Sequence, residues 1–386
     1  MKIGVNARML AQPYTGIGQY TKNLFIELAK IDPSVEYLLV TAKKVKKDIL
    51  NDFPSNVEVK VVREKRFGVA GFSKVWWEQM QIPRVFDREG IDIAFFTYAS
   101  NPWGKSWYKK GIKSIVTLHD CIPWTEKEYQ LKKMSRFYHS KTLKAVKLAD
   151  QVFTVSKNSK KDIRKICGVE KDRIKVFYND ADSDFKKILD EGFMDNILKK
   201  YELKKGRFFL YCGGFDKRKN VHLLVKEYLQ YCDKQGDNAI PLVLAGGKLY
   251  ENYLYEDVEI PKKYQDKIVE TGFVEADVLA ALYRTCAAFV HLSRKEGFNI
   301  PIVEASNCGA PLLLSDIEIH REIAGKNALF VDIQKGNIAE SLEKILELDN
   351  QKKYAEKSKK IKENYSWKKT AQKVFTSLFK VTNIKL

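Results

Sequence analysis

Among the 386 residues there is no C-x-x-C pair, and the six cysteines (Cys121, Cys167, Cys212, Cys232, Cys286 and Cys308) are scattered. That argues against a zinc ribbon and against a disulfide framework, and it suits a reducing compartment. Long hydrophobic runs are also lacking: none approaches the roughly 18 apolar residues of a membrane span. The chain opens directly on an apolar run, KIGVN, with no hydrophobic segment behind its first charge, so a cytoplasmic location is expected. There is no short tandem repeat and no low-complexity segment.

Acidic residues are in short supply, and unevenly so. Lys and Arg number 68 against 49 Asp and Glu, a formal charge of +19. Residues 1–187 carry 36 against 21, residues 188–350 carry 21 against 26, and the last 36 residues carry 11 against 2. The middle segment is therefore a different kind of surface from its flanks. A basic half suggests an anionic partner, a membrane surface or a nucleic acid, unless the lysines serve solubility alone.

What is present is a rhythm of short apolar runs alternating with amphipathic segments. The runs fall at residues 2–6, 37–40, 57–62, 91–96, 114–118 and 151–155, and again at 208–212, 241–245, 267–271, 287–292, 311–315 and 328–332. This predicts βαβ units and two doubly wound parallel sheets, one in each half. Expected boundaries are 1–187 for the first domain and 205–365 for the second. Residues 184–205, charged and without a clear strand, are expected to hold the linker. A final basic helix over 366–380 (segment 366–386) could pack back on the first domain.

The most informative stretch is RKEGFNIPIVEASNCGAPLLLSD, residues 294–316, in which seven residues separate Glu296 from Glu304. Pro301 is tolerated in a first helical turn, which predicts a helix over 301–307 stopped by Gly309. Glu296 then lies in the loop after a strand, and Glu304 in the first turns of a helix whose free N–H groups favour an anion. Two carboxylates beside an anion site suit a ligand both phosphorylated and rich in hydroxyls, such as a nucleotide sugar. The same spacing also allows a plain helix-dipole complement at Glu304 and a solvated Glu296.

Other motifs fall at expected strand ends, where open α/β sheets present their ligand loops. TGIGQY (15–20) places Gly16 and Gly18 just before a helix; a simple turn would use the same glycines. His119 and Asp120 follow the run 114–118, where a polar pair has little packing reason to sit, although a backbone-bonded histidine is the structural alternative. GGFDKRKN (213–220) brings Lys217, Arg218 and Lys219 to a helix start, a candidate diphosphate clamp or else a solvated charge run. Asp180, Asp182 and Asp184 alternate as metal ligands do, but their place before the linker is wrong for cleft chemistry, and no metal is expected.

With these motifs in order, the chain resembles glycosyltransferase family 4, the retaining enzymes of GT-B fold, over nearly its whole length. The resemblance is carried by residues 294–316, by TGFVEADVLAALYRTCAAFVHLS (271–293), TVSKNSKKDI (154–163), the pair Lys219 and Asn220, and HREIAGKNALFVD (320–332). TGIGQYTKNL, His119 and Asp120 resemble the bacterial branch that builds lipopolysaccharide and capsule. The resemblance implies an α/β GT-B fold, two Rossmann-like domains facing across a cleft. It implies that Glu304 binds ribose hydroxyls, Glu296 the transferred sugar near its reacting carbon, and Lys219 with Arg218 the diphosphate. The backbone of Phe298, Asn299 and Ile300 would approach the donor phosphates and sugar. Gly16 and Gly18 would face donor and acceptor, His119 would contact the sugar or help position the acceptor, and Asp120 would lie on the acceptor side. Three departures stand out: no Gly-Arg before Lys219 in GGFDKRKN, so that Arg218 or another residue would take over its diphosphate contact; Asn299 in place of the usual glycine of EGFG; and Asp180 in place of a glycine.

The function so implied is retaining transfer of a hexose, with mannose from GDP-mannose as the expected donor, to a lipid-linked or polysaccharide acceptor, without metal or other cofactor. A UDP-sugar donor with a soluble or protein acceptor is the alternative. A non-catalytic sugar-nucleotide binder, or a nucleic-acid binder motivated by the basic half, is more remote; the latter would lack a paired-carboxylate loop. Peripheral attachment to the inner face of an anionic membrane is also expected. It rests on residues 67–77 (FGVAGFSKVWW) with Arg63, Lys65, Arg66 and Lys74, and on the seven Lys and Arg of residues 127–147.

Overall fold

A computed structural model describes residues 1–68, 71–130, 133–247 and 258–382. The chain divides into two compact units: Met1–Asn179 with Ser366–Leu386, and Asp180–Tyr365.

The first unit is built on a seven-stranded sheet of β1 (Lys2–Asn6), β2 (Glu36–Thr41), β3 (Val57–Val61), β4 (Ile93–Phe96), β5 (Lys113–Thr117), β6 (Gln151–Thr154) and β7 (Ile174–Val176), in the order β3-β2-β1-β4-β5-β6-β7. All neighbouring strands are parallel. Central β4 (IAFF) is buried at every position, as helices on both faces require, whereas edge strand β3 (VEVKV) has no buried residue. β7 was not expected from the sequence. Its three residues lie between Arg173 and Phe177 with Lys175 in the middle, too short and too charged to read as a run.

The second unit carries β8 (Phe209–Cys212), β9 (Leu242–Ala245), β10 (Ile268–Gly272), β11 (Ala288–His291), β12 (Leu312–Ser315) and β13 (Leu329–Val331), in the order β10-β9-β8-β11-β12-β13, all parallel. Each sheet reverses its winding once, between β1 and β4 in the first and between β8 and β11 in the second. The loops after β8 and β11 therefore flank the second sheet's switch point, where open α/β sheets offer a crevice.

The stretch expected to hold the linker instead contains a 3₁₀ turn at Ser183–Lys186 and the helix Glu191–Lys200, capped by Asp190 accepting from Phe193 N at 3.0 Å. Arg284 ties this stretch to the second unit by donating to the carbonyls of Phe185 (3.0 Å) and Lys187 (2.6 Å). The closing helix Trp367–Thr382 belongs to the first unit. Trp367 meets Tyr20 edge-on at 6.1 Å, Thr370 Oγ1 donates to Tyr178 O at 2.8 Å, and Ser377 Oγ to Gln151 Oε1 at 2.7 Å.

Candidate functional site

In the second unit the chain leaves β11 at His291, runs through Arg294 and Glu296, and enters the helix Ile300–Cys308, with Pro301 in its first turn. Asn299 precedes that helix at φ 74° and Gly309 ends it at φ 75°, so the left-handed residues bracket it. Glu304 is buried in its second turn, and Tyr283 Oη approaches Glu304 Oε2 at 3.4 Å.

Glu296 is 6% exposed and holds two of the three cations of the β8 loop: Arg218 Nη1 lies 2.7 Å from its Oε2 and Lys219 Nζ 2.6 Å from its Oε1. Ser293 Oγ donates a further bond to Oε1 at 2.7 Å. Burial by itself would raise the Glu296 carboxyl, but Arg218 and then Lys219 hold it well below the usual carboxylate range. Arg218 and Lys219 are thus no solvated patch, whereas Lys217 is exposed. Arg218 is also pinned by its Nη1 donating to Lys295 O (3.0 Å) and by Asp216 at 3.3 Å, while Asn220 Nδ2 donates to Leu292 O at 2.9 Å, locking the two loops together.

Behind Glu296 lies a polar cluster that sequence reasoning missed. Asn299 Nδ2 is 3.2 Å from His291 Nδ1 and 2.9 Å from His320 Nε2. His320 Nδ1 is 3.0 Å from Ser315 O, and Ser315 Oγ donates to Ser293 O at 2.6 Å. His291 and His320 are wholly buried, and burial pushes both imidazoles down, His320 to about 4. His291 Nε2 and Asn299 Oδ1 have no hydrogen-bond partner among the described residues, at a cost of about 1–3 kcal/mol for each buried group. His291 stood inside an apolar run and so read as strand; His320 stood in a quoted motif without a role.

Phe298 and Ile300 are buried, Phe298 edge-on to Tyr365 at 5.5 Å, so only their backbone is available to a ligand. A cleft of about 530 Å³ opens nearby between the loops after β8, β11, β12 and β13, lined by Lys217, His222, Arg294, Asp316 and Asp332 among others.

In the first unit His119 follows β5, its Nε2 donating to Thr97 O at 2.9 Å and its ring edge-on to Tyr20 at 4.8 Å. Burial lowers it to about 4. With the proton held on Nε2 by a carbonyl, Nδ1 carries the lone pair. Asp120 Oδ1 accepts from Ile122 N at 2.9 Å, which is local turn formation. Gly16 and Gly18 lie inside the helix Gly16–Ala29, capped by Thr15, rather than before it. Gly16 is exposed, but Gly18 is buried, and a Cβ there would sit 2.2 Å from Gln12 O and 2.9 Å from Met9 O. The absence of a side chain at Gly18 serves close packing of the chain on itself. Asp180 pairs with Lys186, and Asp182 caps the turn at Asp184 N (3.3 Å); among the described residues no group of three His, Cys, Asp or Glu is placed to hold a metal.

Two parallel sheets flanked by helices match the fold of solved GT-B glycosyltransferases. The family model for glycosyltransferase family 4 matches residues 14–185, and that for glycosyl transferases group 1 matches residues 193–365. The chain belongs to this glycosyltransferase family. It is 29% identical over 221 residues to O-antigen chain mannosyltransferase B of Escherichia coli, covering 57% of each chain. It is 28% identical over 242 residues to the serotype-specific mannosyltransferase WbdA of Escherichia coli, covering 61% of this chain and 29% of that one. The match thus spans little more than half of the first relative and under a third of the second. Among solved structures, WaaG, a glycosyltransferase involved in lipopolysaccharide biosynthesis, superposes with a TM-score of 0.73 over 97% of this chain and 98% of that one at 14% identity. Anabaena HepE in complex with UDP and glucose gives 0.70 over 98% of each at 15% identity.

Proposed function

We propose that this protein transfers a mannosyl group from GDP-mannose to a hydroxyl of a glycan acceptor, with retention at the anomeric carbon. The observation that carries the reading is the buried trio of Glu296, Arg218 and Lys219 where the loops after β8 and β11 meet. Arg218 and Lys219 are balanced here by Glu296 and Asp216, and a diphosphate leaving group would take over those cations as its charge develops. The mannosyltransferase relatives support the choice of sugar.

In this reading the bond from the acceptor oxygen to the anomeric carbon forms as the bond from that carbon to the diphosphate breaks, and the acceptor's proton passes to the departing phosphate. Lys219 and Arg218 neutralise the charge that develops there. The free N–H groups opening the helix Ile300–Cys308 add to it, with the backbone of Phe298 and Ile300 beside the phosphates. Glu304 accepts from ribose hydroxyls and Glu296 from sugar hydroxyls. His119 accepts a sugar hydroxyl through Nδ1, Gly16 offers backbone at a helix start, and Asp120 orders the turn on the acceptor side. No metal or other cofactor takes part.

The experiment is a thermal-shift screen with GDP, UDP, dTDP and their sugars, followed by NMR of the product's anomeric proton. GDP and GDP-mannose should give the largest shifts and the product should retain configuration. A larger response to UDP-sugars would replace mannose by the alternative donor, and equal shifts for every nucleotide would leave no support for GDP-mannose.

We further propose that the acceptor is lipid-linked and that the first unit rests on an anionic membrane. No helix among the described residues is long and apolar enough to cross a membrane. Phe67 and Phe72, 4.9 Å apart, and Met134 and Phe137 on the helix Lys133–Val146 are exposed apolar side chains. The two regions are joined through Lys74, which lies 4.8 Å over the Tyr138 ring. Trp77, by contrast, is wholly buried, its Nε1 donating to Val62 O at 2.6 Å, and is core rather than anchor. Lys132, one of the cations of residues 127–147, lies outside the described residues.

A further inference from the structure

The hydrogen-bond geometry of the cluster behind Glu296 favours one arrangement of protons. His320 Nδ1 faces the main-chain carbonyl of Ser315, which can only accept, so the proton of a neutral His320 sits on Nδ1 and Nε2 carries a lone pair. The atom 2.9 Å from that lone pair must donate, which fixes the Asn299 side chain with its NH₂ towards His320. The second amide hydrogen is then directed at His291 Nδ1, 3.2 Å away, so His291 carries its proton on Nε2. Ser293 Oγ, 3.1 Å from the same Nδ1, has one hydrogen, and at 2.7 Å it goes to Glu296 Oε1. Were His291 protonated on Nδ1 instead, that N–H would confront the Asn299 NH₂. Two neutral histidines therefore hold opposite tautomers, and the amide between them selects the one on His291.

The left-handed backbone at φ 74° would accept glycine without strain. Glycine would not leave a buried, unpartnered Asn299 Oδ1, nor hold His291 with an unpartnered Nε2. Orphaned buried polar groups persist where a site needs them. We infer that Asn299 is a positioning residue: its side-chain amide, and not only its backbone turn, fills the lone pairs of His291 Nδ1 and His320 Nε2 and so leaves the single Ser293 hydrogen to orient Glu296. The same hydrogen bonds tie the end of β11, the end of β12 and the start of the helix Ile300–Cys308, so the carboxylate and the helix N-terminus are held as one piece. The role in turnover rests on the sugar-transfer reading above; the tautomer assignment does not.

The test joins a spectroscopic readout to kinetics on the full chain. With five histidines in the sequence, ¹⁵N-histidine labelling with long-range ¹H–¹⁵N correlation, assigned by single His→Gln variants, reports each tautomer. Wild type should show His320 as Nδ1–H and His291 as Nε2–H. Asn299→Gly keeps the turn and removes the amide. It should turn the Ser293 hydroxyl from Glu296 to the vacated His291 Nδ1, moving that ¹⁵N resonance, and lower kcat about ten- to a hundredfold, with donor KM within about threefold and an unchanged or higher Tm. His320→Gln, whose side chain can both donate to Ser315 O and accept from Asn299, should retain turnover, and His320→Leu should lose it. Nδ1–H on His291 in wild type would overturn the inference. So would an Asn299→Gly enzyme with a wild-type His291 Nδ1 resonance and kcat, which would leave Asn299 a backbone role alone. A wild-type protein with the expected tautomers but no transfer activity would instead overturn the functional reading.

Discussion

The two units share a doubly wound parallel architecture, yet they handle charge in opposite ways. The first unit, counted with the closing helix, carries 39 Lys and Arg against 18 Asp and Glu, a net of +21, while the second carries 29 against 31, a net of −2. The whole excess of the chain thus resides on one unit. The second unit, near neutral in sum, buries its decisive charges against one another: Glu296, Arg218 and Lys219 all lie within ion-pair distance and largely out of water. Surface charge of one sign acts at range and is screened by salt, whereas buried pairs act at contact and are screened little. The difference teaches where to look for each kind of effect: chemistry that salt hardly touches in the second unit, and association that salt governs in the first.

The largest expected effect comes from Lys219. Its charge matters most when negative charge has built up on the leaving group, so Lys219→Ala should lower kcat by about two to three decades, with nucleotide affinity falling less. Raising salt to 0.5 M should not change that ratio. Parallel losses in turnover and in nucleotide Kd, measured by calorimetry, would reduce Lys219 to ground-state binding. Next, Glu296→Gln should lower kcat by about one to two decades. Because it releases Arg218 and Lys219 from their carboxylate, it should leave nucleoside diphosphate Kd unchanged or tighter. Glu304→Ala should instead raise donor KM about ten- to a hundredfold with a smaller change in kcat. A variant of either glutamate with wild-type kinetics would break the assignment.

Liposome flotation probes the first unit. The protein should float with anionic vesicles at low salt, release as salt rises, and ignore neutral vesicles. Basic residues contribute about 1 kcal/mol each near such a surface, so Lys141→Glu with Lys144→Glu should weaken binding by one to two decades. Turnover on a soluble acceptor should stay unchanged. Binding absent on anionic vesicles, or indifferent to salt, would favour a soluble acceptor and leave the +21 without that partner.

A further expected effect is on stability against pH. His119 and His320 are both lowered to about 4 by burial, against about 6.5 for an unfolded histidine. Between those values the unfolded chain binds protons that the folded chain refuses, so stability is complete above about pH 6.5 and declines as pH falls toward 4. Fully buried His320 contributes up to about 3 kcal/mol of that loss. Denaturant titrations at pH 7 and pH 5 should show the decline, and His320→Gln should flatten it.

Much of the fold was accessible from pattern. Among the described residues twelve of the thirteen strands read as apolar runs. The central ones do so because parallel strands covered on both faces must be apolar throughout, and edge strands β3 and β10, with no buried residue, through their Val and Ile alone. Only β7, three residues with a central lysine, escaped. The helix over 301–307 was readable from Pro301 and Gly309, since backbone constraints at a proline and a left-handed glycine are local properties. Glu296 with Glu304, and Lys219 with Arg218, could be singled out because charge at a strand end is conspicuous.

What the sequence by itself determined is therefore the class of fold, the order of its strands along the chain and the loops that bear charge, all of which follow from periodicity and local stereochemistry. Tertiary structure alone decided which of those charges meet. That Lys219 lies 2.6 Å from Glu296, 77 positions away, depends on β8 and β11 becoming neighbours across a switch point. It also decided that Gly18 faces carbonyls of its own chain, that Trp77 is core, and that two histidines read as strand and motif share one asparagine amide. Hydrogen-bond geometry between distant segments leaves no period in a sequence, because it is set by strand pairing and packing rather than by neighbours along the chain.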